Sequence, residues 1–386
     1  MTAETSVNEA PLAIFETRFH NPSIYAIRAR TAYRGKLTDF CVPANPYFPP
    51  AKMLELIQHN LPDIVKYYPD YAPVYQQCIA DLCGTPAENI VAANGVTEII
   101  TLLCRESAGP ILTSIPTFGR WTDLPPDFDI PVHFVVREKS RKFVIDADDV
   151  IRRARETGAA TVVICNPNNP TGAWFSSADI DRMARELSHI QRLIIDESFI
   201  SFSDLESAEA LACESPNVVV VKSMGKSLGW HGIRLGYAVA NVAAAAALRA
   251  KVPYWNINGL AGFVLKNIGQ FHAAYADSFR KVARDRQYML RQLQTVPGLT
   301  TYPSKGNFLF SELPAGVSGK QVRDMLLEDH GLLVRECSNK VGSTEQYLRC
   351  VVRPREDAAR LVMALCEVLA VLGQPAGMRL PEAMSL

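Results

Sequence analysis

The sequence predicts an α/β fold, in which a mostly parallel sheet is covered by helices, followed by a smaller α+β domain. Two observations support this prediction. Between residues 86 and 240, short apolar runs typical of buried strands alternate with segments that have helical apolar spacing. After residue 260 the alternation ends, and a long helical stretch at 271–295 precedes shorter strand and helix segments. Because parallel strands are buried on both faces, we expect helices on both sides of the sheet.

The predicted elements follow in chain order. Apolar runs predict strands at residues 111–113, 132–136, 161–165, 193–195, 218–221 and 237–240. Helices are predicted at 146–156 and 177–187, with Asp146 and either Ser176 or Ser177 as N-caps, and a final helix at 355–372. We expect three parts: residues 1–48 form an N-terminal arm and part of the small domain, 49–262 form the large domain, and 263–386 form the C-terminal small domain.

Composition excludes several classes of function. The chain has 40 basic and 40 acidic residues, so bulk charge gives no support for nucleic-acid or membrane-surface binding. No apolar stretch reaches the length of a membrane span, and the first residues lack the pattern of a secretion signal. The nine cysteines form no C-x-x-C pair and the seven histidines are dispersed. We therefore expect buried thiols in a reducing cytoplasm, with neither disulfides nor a metal site.

The run Gly225-Lys226-Ser227 resembles the core of a nucleotide-binding P-loop. That motif, G-x-x-x-x-G-K-[ST], requires a glycine five residues before Gly225, where backbone amides wrap the phosphates. Val220 occupies this position, inside a predicted strand. The P-loop interpretation therefore fails, and Lys226 needs another explanation.

Polar side chains follow three successive predicted strands. The loop 166–172 follows the first, Asp196 the second, and Lys226 comes shortly after the third. Each has an ordinary explanation when taken alone: a turn, a helix cap and a surface lysine. Ligands of open α/β sheets bind at the carboxyl ends of the strands, so an amide, a carboxylate and an amine converging there indicate an active site.

With these motifs the sequence resembles the fold-type I pyridoxal-phosphate enzymes, the aspartate aminotransferase superfamily, over nearly the whole chain. The resemblance implies a predominantly seven-stranded sheet sandwiched by helices, with pyridoxal 5′-phosphate as the cofactor of the large domain. In S-x-x-K-x-x-x-x-x-G-x-R-x-G-Y, Lys226 matches the lysine that holds the cofactor as a Schiff base, and we expect the pocket to lower its pKa. Asp196 matches the carboxylate under the pyridine nitrogen, Asn169 the amide at the phenolic oxygen, and Phe118 the aromatic that stacks on the ring.

The resemblance also implies a site for the cofactor phosphate. Backbone amides at a helix start suit a dianion, and the resemblance assigns this role to the stretch Gly95, Val96 and Thr97, with Ser223 and Arg234 beside it. Tyr68 matches a tyrosine that reaches the phosphate from the other subunit, which implies a homodimer.

Substrate residues are implied less fully. Arg349 matches the arginine that binds the α-carboxylate of an amino-acid substrate, and His20, Asn45 and Arg335 are assigned to the substrate as well. Lys222, Arg353 and the segment around Trp255 are further candidates for its distal end.

The sequence departs from the family pattern at several positions. Phe199 replaces a tyrosine and Gly225 a hydroxyl residue, each at the loss of one contact to the cofactor. Asn21 and Pro22 replace two glycines after His20, and the pair Trp230-His231 has no assigned role, with His231 either packed or an added acid/base group.

The reaction is left open between three hypotheses. Resemblance to the subgroup of histidinol-phosphate aminotransferase and threonine-phosphate decarboxylase favours aminotransfer first and decarboxylation of a phosphorylated amino acid second. Elimination or cyclisation in specialised biosynthesis is the third. A sensing role, as in relatives fused to a DNA-binding domain, is disfavoured because the chain has no room for that domain ahead of the first cofactor motif.

Overall fold

The computed structural model describes residues 23–373. Its strands are β1 Thr38–Asp39, β2 Ile90–Ala93, β3 Ile111–Ile115, β4 Val132–Val136, β5 Thr161–Cys165, β6 Arg192–Asp196, β7 Val218–Ser223, β8 Gly236–Val239, β9 Thr300–Tyr302, β10 Phe308–Glu312, β11 Leu332–Leu333, β12 Arg335–Glu336 and β13 Tyr347–Val351. Its α-helices are α1 Ile24–Arg30, α2 Ala51–Lys66, α3 Ala72–Cys83, α4 Val96–Arg105, α5 Arg120–Asp123, α6 Ala147–Thr157, α7 Ser177–Glu186, α8 Glu209–Glu214, α9 Met224–Ser227, α10 Val242–Arg249, α11 Gly259–Asn267, α12 His272–Leu293, α13 Gly319–His330 and α14 Arg355–Leu372.

Seven strands form the main sheet, in the order β2-β8-β7-β6-β5-β3-β4. β8 runs antiparallel to both of its neighbours, and the remaining pairs are parallel. This is the α/β fold with a mostly parallel, seven-stranded sheet that the sequence predicted. The four residues of β2 were missed, because this apolar run is short and lies directly before the loop at Gly95.

Helices cover both faces of this sheet, as its alternating side chains require. On one face Val162 and Ile164 pack in a core that includes Met183 of α7. On the other face Val163 and Cys165 pack in a second core, which includes Ile99 of α4. Consecutive residues of one strand therefore belong to two cores.

The helix ends follow the expected capping chemistry in part. Ser176 caps α7 through a capping box, in which its hydroxyl accepts from the Asp179 amide and the Asp179 carboxylate accepts in return. Asp146 occupies the N-cap position of α6, but its side chain makes no capping hydrogen bond within the described residues. Its carboxylate pairs with Arg141 instead.

A small antiparallel sheet with the order β12-β13-β10-β9 lies in the second half of the chain. The segment before the large domain contributes β1, which pairs in parallel with β11. Residue 262, the expected domain boundary, lies inside α11, and Ala261 and Tyr275 still belong to a core of the main sheet. Met289 and Leu293 pack in the core of the small sheet, so we propose that the transition between domains runs along α12.

No helix between residues 23 and 373 combines the length and the apolar composition needed to cross a membrane.

Candidate active site

The loops at the carboxyl ends of the parallel strands enclose a cavity of about 240 Å³. Its lining includes nine residues that the sequence singled out as cofactor or substrate residues: Val96, Thr97, Phe118, Asn169, Ser223, Lys226, Arg234, Arg335 and Arg349. Asp196 lines a smaller adjoining cavity, together with Phe118, Asn169 and Lys226. The fold therefore brings residues from both halves of the chain to one site.

Lys226 lies in the short helix α9, directly after β7, and its side chain is buried. Its Nζ lies 5.9 Å from the centroid of the Phe118 ring and 5.0 Å from that of the Phe199 ring. Burial lowers the pKa of this amine to about 8, although the carboxylate of Asp196 opposes the shift. A neutral, nucleophilic amine is therefore accessible near physiological pH.

We expect Lys226 to react with an aldehyde faster as the pH rises to about 8, and at a constant rate above it. The pKa of Lys226 lies below its ordinary value of 10.5, at about 8, so the neutral fraction falls about tenfold for each pH unit below 8. The measurement is the rate of absorbance change when apoprotein is reconstituted with pyridoxal 5′-phosphate between pH 6 and 10. A rate that keeps rising tenfold per unit between pH 9 and 10 would contradict this reading, because the lysine would then titrate normally.

Asp196 is held by two donors at the end of β6. Its Oδ2 accepts from the indole Nε1 of Trp121 at 2.9 Å, and its Oδ1 accepts from the Ser198 amide at 3.1 Å. Trp121 is fully buried in α5. The sequence analysis missed this tryptophan. The only signal for it was its position shortly after Phe118 in the sequence.

The loop after β5 is fixed by a network of amides. Asn168 accepts from the Thr117 hydroxyl at 2.9 Å and donates to the Pro116 carbonyl at 3.0 Å. The Oδ1 of Asn169 accepts from Arg349 Nη1 at 2.7 Å. Because its oxygen is engaged there, Asn169 presents its NH₂ group to the cavity as a donor.

Gly95 and Arg234 lie together at the start of α4. Gly95 has φ +82°, which favours glycine, and a Cβ at this position would lie 2.5 Å from Arg234 Nη2, so another residue would displace the guanidinium. Arg234 itself adopts a left-handed backbone conformation with φ +54°. The side-chain amide of Asn256 donates to the Glu98 carboxylate, and that of Asn258 donates to Asn94 Oδ1. These hydrogen bonds fix the loop around Gly95.

Arg349 and Arg335 are cross-strand neighbours in the antiparallel pair of β13 and β12. Arg349 Nη2 donates to the Cys41 carbonyl at 2.5 Å, and burial lowers its pKa. Arg335 Nη2 donates to Asn339 Oδ1 at 2.6 Å. Two like charges facing each other on buried strands are unfavourable unless an anion lies between or beside them.

Lys340, which the sequence analysis missed, also lines the cavity. It directly follows the run Arg335 to Asn339, so the only sequence signal was its position at the end of that run.

Gly225 and His231 depart from the family pattern together. A Cβ on Gly225 would lie 3.2 Å from the Trp230 carbonyl and 3.3 Å from the Cα of His231, so the glycine makes room for this backbone. His231 lines the cavity, and one of its ring nitrogens donates to the Pro43 carbonyl while Nε2 has no partner within the described residues. Burial lowers its pKa to about 4, so this side chain is neutral at physiological pH and offers an acceptor.

Other predicted residues lie outside the cavity lining. Asn45 is buried, and its amide donates to the Ser227 carbonyl at 2.9 Å and to the Ser278 hydroxyl at 2.7 Å. Tyr68 lies on the surface, 82% exposed, with its ring centroid 4.9 Å from that of Trp255. Lys222 forms ion pairs with Glu197 and Glu209. His20 lies outside the described residues.

Arg353 is also engaged elsewhere, since its Nε pairs with Asp357 at 2.8 Å. Phe199 packs edge-on against Phe308 at 4.9 Å between ring centroids. Neither residue is part of the lining of the larger cavity, and Phe199 lines the smaller adjoining one together with Lys226.

The residues present fit pyridoxal 5′-phosphate. The cradle at Gly95, which a Cβ would fill, offers helix amides and a guanidinium to a phosphate. The buried amine of Lys226 lies beside the Phe118 ring, and a buried carboxylate lies in the adjoining cavity. The amine suits the aldehyde of this cofactor, the Phe118 ring suits its pyridine ring, and the carboxylate suits its pyridine nitrogen.

Comparison with known proteins agrees with this reading. The chain matches the family model for aminotransferase class I and II over residues 35–365. It is 32% identical over 356 residues to the CMP-5′-(3-aminopropyl)phosphonate synthase of Streptomyces rubellomurinus, a match that covers 89% of this chain and 54% of that protein. The chain thus spans about half the length of that relative.

Two further similarities cover nearly the full length of both proteins. The L-serine phosphate decarboxylase of Sulfurospirillum multivorans is 31% identical over 366 residues, which covers 91% of this chain and 93% of that protein. The solved structure of a decarboxylase from Sulfurospirillum multivorans superposes with a TM-score of 0.84 at 28% identity, covering 93% of this chain and 95% of that one.

Proposed function

Because the chain belongs to the class I and II aminotransferase family, whose members depend on pyridoxal 5′-phosphate, we propose that it removes the α-carboxylate from an amino acid that carries a second anionic group. The substrate is a small molecule, as in the family, and the second anion is a phosphate or phosphonate. The bound cofactor supplies an electron sink for the negative charge that develops at the substrate Cα.

The observation that carries the substrate proposal is the number of cations in the cavity. Its lining contains five lysine and arginine side chains and, among the described residues, no acidic one. Lys226 serves the covalent bond to the cofactor, Arg234 its phosphate and Arg349 the α-carboxylate of the substrate. Arg335, beside Arg349, and Lys340 remain for a further anion on the substrate. A neutral or cationic substrate side chain would leave these charges buried without a partner.

Each residue of this proposal has a physical role. Arg349, fixed by Asn169 and the Cys41 carbonyl, orients the α-carboxylate so that the bond to Cα can break. Lys226 would hold the cofactor through its side-chain amine, and the same amine, when free, would deliver a proton to the substrate Cα. An amine with a pKa near 8 suits this task, because it exchanges protons readily at neutral pH. Asp196 stabilises the positive charge on the pyridine nitrogen.

Decarboxylation is favoured by the relatives. The serine phosphate decarboxylase resembles this chain over nearly its whole length, and its name combines both features of the proposal: removal of a carboxylate and a phosphorylated amino acid. Aminotransfer, the hypothesis that the sequence ranked first, remains the second candidate, because the matching family model is that of the aminotransferases. Lys226 would serve both decarboxylation and aminotransfer, since each requires a proton to be moved to or from the substrate Cα.

The experiment incubates the holoenzyme with O-phospho-L-serine and O-phospho-L-threonine and analyses the products. Decarboxylation releases CO₂ and the corresponding phosphorylated amine. Aminotransfer instead produces a 2-oxo acid and requires an amino acceptor for further turnover. If no amino acid with a second anion changes the absorbance of the cofactor, the proposal fails.

We also propose a homodimer, in which Tyr68 reaches the cofactor phosphate of the neighbouring subunit. Tyr68 is exposed and is not part of the cavity lining of its own chain, and the nearby aromatic residues Tyr67, Tyr71 and Tyr254 are exposed as well. Sedimentation velocity would test whether the protein is a dimer. The affinity of the Tyr68→Phe variant for the cofactor would test the contact between Tyr68 and the phosphate. We propose a cytoplasmic location, because the nine cysteines are scattered along the sequence without the spacing of a disulfide framework or a metal site.

A further inference from the structure

Lys340 lies in a rigid turn that points its side chain into the cavity. Its amide donates to the Cys337 carbonyl at 3.1 Å, and its own carbonyl accepts from the Ser343 amide at 3.0 Å. Next to it, Gly342 has φ +78°, and a Cβ there would lie 3.0 Å from Ile115, so the glycine lets this turn close against the end of β3. The backbone of Lys340 is therefore fixed before any ligand binds.

The ammonium group of Lys340 lacks an anionic partner. The residue is only 5% exposed, yet no hydrogen bond or ion pair joins its Nζ to any of the residues 23–373. Its Nζ lies 5.8 Å from the centroid of the Phe118 ring. Lys226 lies 5.9 Å from the same centroid, so both amines approach the same aromatic ring at the centre of the site.

The surroundings of Lys340 are strongly cationic. Burial lowers the pKa of Lys340 to about 7, Arg335 and Arg349 act in the same direction, and Cys337 and Asp123 oppose them. A lysine held in this way gains its charge when an anion arrives, because the anion favours the protonated form. Binding of a dianion would therefore be coupled to proton uptake at this site.

We propose that Lys340 is a specificity-determining residue, whose ammonium group joins Arg335 in binding a tetrahedral dianion, the phosphate ester or phosphonate on the substrate side chain. This inference rests on the proposed function and deepens it. A guanidinium offers a planar pair of donors and a lysine a single point charge, and together they suit a group with three oxygens and a charge near −2. A side-chain carboxylate, with two oxygens and one charge, would leave one of the two cations unpaired.

The test compares the holoenzyme with its Lys340→Met and Lys340→Arg variants. Methionine keeps most of the volume and the contact with Phe118 but removes the charge. The dissociation constants of O-phospho-L-serine and of L-serine are measured from the absorbance change of the bound cofactor. We expect Lys340→Met to weaken O-phospho-L-serine binding about tenfold or more, the usual effect of losing a charged hydrogen bond, and to leave L-serine unaffected. Lys340→Arg should restore most of the selectivity.

The outcomes separate the two proposals. A wild-type enzyme that does not prefer O-phospho-L-serine to L-serine would overturn the proposed substrate class, and the role of Lys340 with it. A wild-type enzyme with this preference, which Lys340→Met retains, would overturn the role of Lys340 alone. The carbon-linked analogue L-2-amino-4-phosphonobutyrate distinguishes a phosphonate from a phosphate ester, according to which ligand binds more tightly. Retention of the cofactor absorbance by both variants shows that the fold is intact.

Discussion

Replacement of Lys226 by alanine should abolish turnover, with kcat lower by about 10⁴-fold or more, the upper end of what a positioned acid/base group contributes. The absorption of the covalently bound cofactor should disappear with it. Two functions would be lost at once, because we propose that Lys226 both forms the covalent bond and moves the proton at Cα. We expect cofactor bound without this bond to remain, since Arg234 and the helix start at Gly95 are untouched.

The variant should fold normally, which makes the result interpretable. The Nζ of Lys226 makes no hydrogen bond or ion pair within residues 23–373 and only approaches the rings of Phe118 and Phe199. The contact that positions the chain here is a backbone one, from the Asn45 amide to the Lys226 carbonyl at 2.9 Å. Removing a buried amine therefore breaks no polar contact and relieves its desolvation cost.

The matched control is Lys281→Ala. This lysine pairs with Asp277 on the surface, with 44% of its side chain exposed, and its loss should leave kcat unchanged. Addition of methylamine to Lys226→Ala should restore part of the rate, because a free amine can replace the missing proton carrier. Turnover of Lys226→Ala above about one hundredth of the wild-type rate would contradict the assignment, since a general acid/base is worth at least this factor.

The sequence predicted the main sheet and most of the cavity for a physical reason. Parallel strands buried on both faces are continuous apolar runs, so β5 could be located from its residues alone. Their carboxyl ends lie at one edge of the sheet, so the loops after β5, β6 and β7 had to meet there. Asp196, Asn169 and Lys226 were therefore found from position and residue type together.

The contacts that the sequence did not reveal depend on strand register and side-chain direction. Arg335 was assigned to the substrate, but it faces Arg349 only because β12 pairs with β13 in one register, and a shift by one residue would turn one of them away. Lys340 reaches the cavity only through the turn that follows β12. Trp121 bonds to Asp196 across 75 positions of the chain. Spacing in the sequence carries no information about any of these three contacts.

Asn45 shows what a residue's type cannot reveal. It was assigned to the substrate, and in the structure both of its amide hydrogens are donated within the protein, to the Ser227 carbonyl and the Ser278 hydroxyl. Its carbonyl oxygen accepts from the Tyr47 amide at 3.0 Å. These contacts join the N-terminal arm to α9 and α12, and they give Asn45 a part in positioning the short helix that carries Lys226.

Asp196→Asn should reduce kcat by about 10²- to 10³-fold, the usual cost of removing one preorganised charge from a reacting group. The asparagine has nearly the same shape, but its neutral amide no longer stabilises the protonated pyridine nitrogen. The substitution also disturbs the local hydrogen bonds, because both neighbours of Asp196, Trp121 Nε1 and the Ser198 amide, are donors. Only a carboxylate accepts from both, so the NH₂ of asparagine must face one of them.

A second readout distinguishes a lost charge from a damaged fold. Asp196 raises the pKa of Lys226 against the larger effect of burial, which lowers it to about 8. Without this carboxylate the pKa of Lys226 should fall further, so the pH at which the reconstitution rate levels off should move below 8. Trp121→Phe is the matched control: it removes one donor and keeps the charge, and we expect a loss of only about tenfold, that of one hydrogen bond to a charged group. If Asp196→Asn retained kcat within tenfold of the wild type, or lost no more than Trp121→Phe, the carboxylate would not be the group that stabilises the pyridinium.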